Sequence, residues 1–388
     1  MAQTLRHGLL GYSMTSKMLS LREFWRRHRR KILIAAGVFG SGYFLYNLYN
    51  AHKSSLADLE RQHADEREHE ELIKAQMQAH FENIQRIADA TTLPHAMHYL
   101  SSRIAEELDL LQLTERLMKG KGQPNTLTSS EKLELWDRLK ILSFTRTVVS
   151  LCAMTMLCLY IRTQVNILGR HLYIDTARGL GSSHLLDDAD LIEREDQQKF
   201  LASSDFLANY GMPALISNIQ AAVTEVLKRK ELRDFFNTKT LHETVMQILD
   251  LFMSRGSPHH WADYLMPEDA RVYKLALGSN SDDTIITDTT KFEQLMAEAR
   301  AVLSSAEFGK VVEISLKAIV DALVADVAAE SGGGSLASGM PLARLLPRVA
   351  QMGPLLFNEL NQNRFIQIIL SVSEVELFFT LLYANMPT

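Results

Sequence analysis

The sequence predicts an all-α protein held by a single N-terminal membrane anchor, and three observations predict it. Glycine and proline are scarce, 19 and 9 in 388 residues, so few turn formers interrupt long stretches of helical periodicity. Residues 32 to 51, ILIAAGVFGSGYFLYNLYNA, carry no charge, and twenty helical residues match one hydrocarbon thickness. From Glu131 to Asp175 the chain runs without proline and with Gly169 as its single glycine. That stretch alone would make a helix roughly 65 Å long.

The N-terminal elements follow from charge. Residues 1 to 31 hold eight cations, among them Arg26, Arg27, Arg29, Arg30 and Lys31, against one anion, Glu23. Their net +7 leaves −12 on the rest of a chain whose total is −5. This asymmetry reads as a basic targeting segment ahead of an acidic body. Residues 32 to 51 then form the transmembrane helix, with Trp25 at one edge and Tyr43, Tyr46 and Tyr49 toward the other as an aromatic belt. A signal peptide fits less well, because the basic region is long and no A-x-A site follows. A mitochondrial presequence is also Arg-rich and poor in acids, so that address stays open. Residues 52 to 76 are charged with a thin apolar stripe, a stalk helix that joins a body spanning 77 to 388. His63, Glu66, His69 and Glu70 fall on that solvated face, with nothing to position them as metal ligands.

In the body, Thr91-Thr92-Leu93-Pro94 starts a helix, proline in its first turn, that should run to about Met118. A Gly- and Pro-containing loop from Lys119 follows. After the capping-type pair Ser129-Ser130, Leu133, Trp136, Leu139, Ile141, Leu142 and Phe144 recur at helical spacing, and the pattern then turns apolar on every side. Between Arg146 and Arg162 lie 15 residues without a charge, shorter than the ~20 of a bilayer span. A helix through the centre of a soluble core is the reading. Gly179 to Ser183 should end it. The acidic run 187 to 196 lacks the EF-hand order and its loop glycine. Further helices are expected over about 196–210, 212–230, 240–253, within 281–304 and over 305–329, with a last pair from Pro341 to about Ala384. The glycine-rich stretch 332 to 339 has no Lys-Ser/Thr and no strand before it, so it is no phosphate loop.

Chemistry is sparse. Cys152 and Cys158 lie six residues apart on one helix, too far round it for a disulfide. No zinc spacing, nucleophile elbow, Rossmann or Walker pattern occurs, and His259-His260 point to opposite sides. No cofactor or metal is expected. An acidic body argues against nucleic acid. A membrane-held helical body of this kind works by binding rather than catalysis.

Two runs in the central stretch, KLELWDRLKILSFTR and QVNILGRHLYID, closely resemble the signature of the peroxin-3 family, in its plant-like form. Weaker likeness continues in His80-Phe81-Glu82 with Gln85-Arg86, in Tyr264-Leu-Met-Pro267, and in Pro341-Leu-Ala-Arg344-Leu-Leu-Pro347. The resemblance implies an elongated helical bundle on one anchor in the peroxisomal membrane. Its implied role is to dock peroxin-19, the soluble receptor and chaperone of newly made peroxisomal membrane proteins. Docking would lay an amphipathic partner helix into an apolar groove at one end of the bundle.

Carried over position by position, the groove tryptophan falls on Trp136, a flanking lysine on Lys132 and a wall leucine on Leu139, with Leu135 beside them. A second basic wall residue falls on Arg344, where the family more often has lysine, and a further apolar wall near Leu117 or Met118. Family members begin almost at the basic cluster, so Met18 is an alternative start to Met1. The positive-inside rule would send the body across the membrane, whereas the resemblance places it in the cytosol, which also suits two unpaired cysteines. The rival readings are a mitochondrial or other organelle tether with no client-receptor role, and a membrane-anchored helical enzyme.

Overall fold

The computed structural model describes residues 85–122, 128–181, 193–255, 260–270, 291–330, 338–358 and 363–384, with 273, 336 and scattered positions from 53 to 83. Residues Met1–Gln76 and Met77–Thr388 form two compact units. In the first, described positions such as Lys53, Arg61 and Leu72 are helical. Arginines 26, 27, 29 and 30 and Lys31, expected to target the chain, and the expected membrane span 32–51 lie outside the described residues, as does most of the acidic run 187–196.

Among the described residues, the second unit is all-α apart from one two-residue strand pair. A π-helical turn, Ala88–Thr92, leads into α1 (Leu93–Glu107). The sequence predicts one helix to Met118, but the chain breaks at Leu108, whose ψ of 56° leaves the helical region. Asp109 then accepts a hydrogen bond from the Leu111 N–H at 2.8 Å and opens α2 (Leu111–Gly122). No glycine or proline marks this break; the aspartate side chain makes it.

Helix α3 (Ser129–Gly181) runs 53 residues, roughly 80 Å, and passes Gly179, where the sequence predicts a stop. It packs against α1, α2 and most later helices: α5 (Met212–Leu227), α8 (Lys291–Leu303), α9 (Ala306–Glu330), α10 (Leu342–Leu355) and α12 (Ser373–Ala384). Every residue from Thr147 to Ile161 is buried. That explains a segment apolar on every side: it has a neighbour in every direction. Among the described residues, Ser129–Tyr173 is long and apolar enough to cross a membrane, yet 83% of its apolar window is buried within the bundle. The hydroxyls of Thr145, Thr155 and Thr163 donate to the carbonyls four residues back at 2.8–2.9 Å. The core therefore holds polar atoms without leaving those hydroxyls unpaired.

The remaining elements clamp this axis. Helix α4 (Arg194–Ala202) continues through a 3₁₀ turn (Ser203–Asp205) and a π-helical turn (Leu207–Gly211) into α5. Gln164 Nε2 donates to the Phe200 carbonyl at 2.6 Å and to Ser203 Oγ at 2.9 Å, and Tyr160 Oη lies 2.8 Å from the same Ser203 Oγ. The QVNILG run is thus partly a clasp for α4. Strand β1 (Phe235–Phe236) pairs antiparallel with β2 (Met340–Pro341), Phe235 opposite Pro341, a pairing the helical reading does not anticipate. Gly339, at φ 85°, makes the turn into β2. Helices α6 (Thr238–Ser254) and α7 (His260–Leu265) lie between these strands in sequence. The predicted last pair of helices is three: α10, α11 (Arg364–Leu370) and α12. Asn363 caps α11, accepting from the Phe365 and Ile366 N–H groups.

Candidate functional site

The first two turns of α3 are built by a reciprocal cap one residue earlier than the expected serines. Thr128 N–H and hydroxyl donate to the Glu131 carboxylate at 2.7 and 2.8 Å, and Glu131 N–H donates back to Thr128 Oγ1 at 3.2 Å. This capping box satisfies donors that the helix start would leave open. The backbone and side-chain hydrogen bonds from Thr128 hold the Glu131 carboxyl below its ordinary value.

Exposure changes along this end. Lys132 is exposed, Leu133 is 58% exposed, and Trp136 is half-buried against the core. The Trp136 indole N–H has no hydrogen-bond partner among the described residues. Leu135 and Leu139 are already buried at 7% exposure. The predicted set therefore splits: Lys132 and Trp136 reach the surface, and the two leucines hold the helix down. One residue on, Lys140 is buried, its Nζ donating to the Lys230 carbonyl at 2.9 Å and pairing with Asp137 at 3.0 Å. That lysine ties α3 to the segment leading to β1.

Helix α10 is brought to the same end by the strand pair. Leu342 and Ala343 N–H groups donate to the carbonyls of Asp234 and Leu232, both at 2.9 Å. Leu342, Leu345, Leu346, Val349, Met352 and Gly353 form its buried stripe. Thr147 Oγ1 donates to the Val349 carbonyl at 2.8 Å, and a Cβ on Gly353 would sit 2.9 Å from Ser150 Oγ. These contacts bring residues 349–353 of α10 against 146–150 of α3. Arg344 is exposed, with no ion pair among the described residues. On α2, which also packs on α3, Leu117 is half-buried and Met118 is 65% exposed.

Phe235 and Leu133 are apolar surface residues that sequence reasoning did not single out for the site. Phe235, 73% exposed beside buried Phe236, alternates over only two residues, too few for a period to show. Leu133 looked like one more core position in the helical repeat. No group of three or more His, Cys, Asp or Glu side chains suited to a metal occurs among the described residues.

A family model described as Peroxin-3 matches residues 121–385. The chain belongs to the peroxin-3 family. It is 60% identical over 367 residues to Peroxisome biogenesis protein 3-1 of Arabidopsis thaliana, covering 95% of this chain and 99% of that relative. Peroxisome biogenesis protein 3-2 of the same plant is 58% identical over 368 residues. Peroxisomal biogenesis factor 3 of Homo sapiens is 28% identical over 391 residues, 95% of this chain and 98% of its own. Membership in the peroxin-3 family gives the chain a role in peroxisome biogenesis, a non-enzymatic one. It also gives α3 its context, because the matched region holds nearly the whole helix bundle.

Proposed function

We propose that this chain is the dock for peroxin-19 at the peroxisomal membrane, receiving the carrier of newly made membrane proteins. In this reading residues 1–31 target the chain, 32–51 anchor it in a single pass, 52–76 form a stalk, and 77–388 are a cytosolic body. The observation that carries it is Trp136: half-buried, its indole N–H unengaged, beside exposed Leu133 and Lys132. Large aromatic side chains held in this way are the usual anchors of a binding surface. The Lys140 tie and the close α10 contact hold the helix end rigid from behind, so a partner helix would meet a preformed seat. Lys132 and Arg344 are the rim cations, and Leu135 and Leu139 its floor.

Titration of peroxin-19 against the full chain in detergent tests this. Trp136→Ala should weaken binding at least tenfold, about 1.4 kcal/mol, with helicity intact because the ring only half enters the core. Unchanged affinity would remove Trp136 from the site. Lys132→Ala and Arg344→Ala should slow association and flatten its salt dependence more than they speed release. Protease added to intact organelles should digest the body; a body that survives would reverse the topology.

A further inference from the structure

Arg162 lies 26 residues beyond Trp136 on α3, roughly 39 Å along the axis, and lines a pocket that the docking reading does not use. Its volume is about 510 Å³, within the range of ligand sites. Three segments build it: Glu82, Gln85, Arg86, Asp89 and Ala90, then α3 at Arg162, and the last two helices. One wall is the π-helical turn Ala88–Thr92, a distortion that recurs at functional sites. One stretch singled out in the sequence, Glu82 with Gln85-Arg86, lies here, facing α3 at Arg162, between its two signature runs.

The polar groups define what can enter. Arg162 is already engaged: Nη2 is 2.7 Å and Nε 3.4 Å from the Asp89 carboxylate, and its guanidinium lies 5.9 Å from the Phe379 ring centre. It is not free to hold an anion. Gln85 is only 8% exposed, and neither its amide oxygen nor its amide nitrogen has a partner among the described residues. A buried amide left so is costly, and a native protein tolerates it where something else completes it. At the rim, the exposed carboxylate of Glu82 accepts from Gln78 Nε2 at 2.9 Å through one oxygen, and neither it nor that of Glu376 has an ion-pair partner among the described residues, while Arg86 bonds Asn83 at 2.8 Å. With Asp89 and Arg162 neutralising each other, the open charge is two carboxylates against one guanidinium.

We propose that this pocket binds an extended basic segment of a partner protein, separate from the Trp136 end. One peptide group of the segment completes Gln85, its C=O accepting from Nε2 and its N–H donating to Oε1. A lysine or arginine side chain lies toward Glu82 and Glu376. An apolar ligand would leave the amide unpaired, and an anion would meet the rim carboxylates.

The test uses the full chain in detergent and the capped peptide acetyl-Gly-Arg-Gly-Arg-amide, followed by ligand-observed NMR. Expected are saturable binding of this peptide, at least fivefold weaker binding of its Gly-Glu-Gly-Glu counterpart, and at least fivefold losses in Gln85→Leu and in Glu376→Gln. Both variants should melt at or above the wild-type temperature, since Gln85→Leu removes an unpaired amide. Trp136→Ala should bind the peptide as wild type does, which separates this site from the docking end. Equal binding of both peptides, or wild-type affinity in both pocket variants, overturns the proposal. So does displacement of the arginine peptide by inorganic phosphate or by phosphatidylcholine vesicles, since either would mark a different ligand class.

Discussion

Replacing Gly211 by alanine should unsettle the bundle more than its small size suggests. Gly211 ends the π-helical turn that enters α5, at φ −78° and ψ −25°, a conformation any residue can adopt. The constraint is space. A Cβ there would lie 2.1 Å from the Tyr264 carbonyl oxygen and 3.0 Å from its carbonyl carbon, against the ~3.3 Å at which carbon and carbonyl oxygen make contact. The backbones must part by about 1 Å. Tyr264 cannot retreat, since it is buried, its hydroxyl accepts from Asn218 Nδ2 at 2.6 Å, and Leu265 and Met266 are buried behind it. Overpacking costs about 1–3 kcal/mol, and backbone on both sides of the clash puts this case at the top of that range. Alanine returns up to ~1 kcal/mol of helix propensity, leaving a net loss of about 2 kcal/mol. At the lower end of the usual shift per kcal/mol for large domains, the melting temperature falls by about 4 °C. Gly309→Ala is the control: it lies in α9, and the nearest foreign atom, Trp261 Nε1, is 4.0 Å from the added Cβ. It should melt about 2 °C higher from propensity alone. Circular dichroism melts of both variants in one detergent decide it. Gly211→Ala melting at or above wild type would refute the steric account.

Thr128→Ala should cost about 1 kcal/mol of helix stability, confined to the first turns of α3, with amide exchange at Lys132 and Leu133 about fivefold faster and exchange at Val148 unchanged. The Glu131 half of the cap has a pH signature. Its carboxyl is lowered in the folded chain by the Thr128 hydrogen bonds, so its contribution is whole above the unfolded carboxyl pKa and is lost as pH falls through the lower folded value. Helical ¹³Cα shifts of residues 129–133 should therefore collapse on acidification before those of the buried middle, and simultaneous loss would contradict the cap. Cys152 and Cys158 are buried and free, and burial pushes both thiols up, Cys158 to about 12. Native protein should take up no iodoacetamide at neutral pH until denaturant is added; rapid labelling would mean that α3 opens.

The central helix was legible because its two signals agree: one-faced periodicity at the front, then an all-round apolar run from Thr147 to Ile161, which a helix needs when neighbours surround it. The break at Leu108 was not legible, because no Gly or Pro marks it and Asp109 caps through a side chain that also suits a helix surface. The split at Ser371-Val372 was hidden likewise, although Asn363 before an apolar run is a readable cap. At the candidate site the four-residue spacing from Lys132 to Trp136 was visible, but how far each side chain is covered was not. Coverage is set by tertiary packing between elements far apart in sequence, which no local pattern records. Gln85 reads as one more polar residue of a charged helix, and only its burial without a partner marks it.

The all-round burial of α3 has a mechanical consequence. A helix gripped on one side can roll or slide a little, whereas one surrounded for fifteen residues must repack many neighbours to move at all, and close-packed interiors resist such adjustment. The shaft therefore acts as a fixed ruler between the surface at Trp136 and the pocket at Arg162. Occupancy at one end has no soft element along α3 through which to alter the other. Two ligands should bind as if each were alone, with a coupling factor near one. A carrier seated at the tip and a basic segment held at the far end could thus arrive and leave in any order.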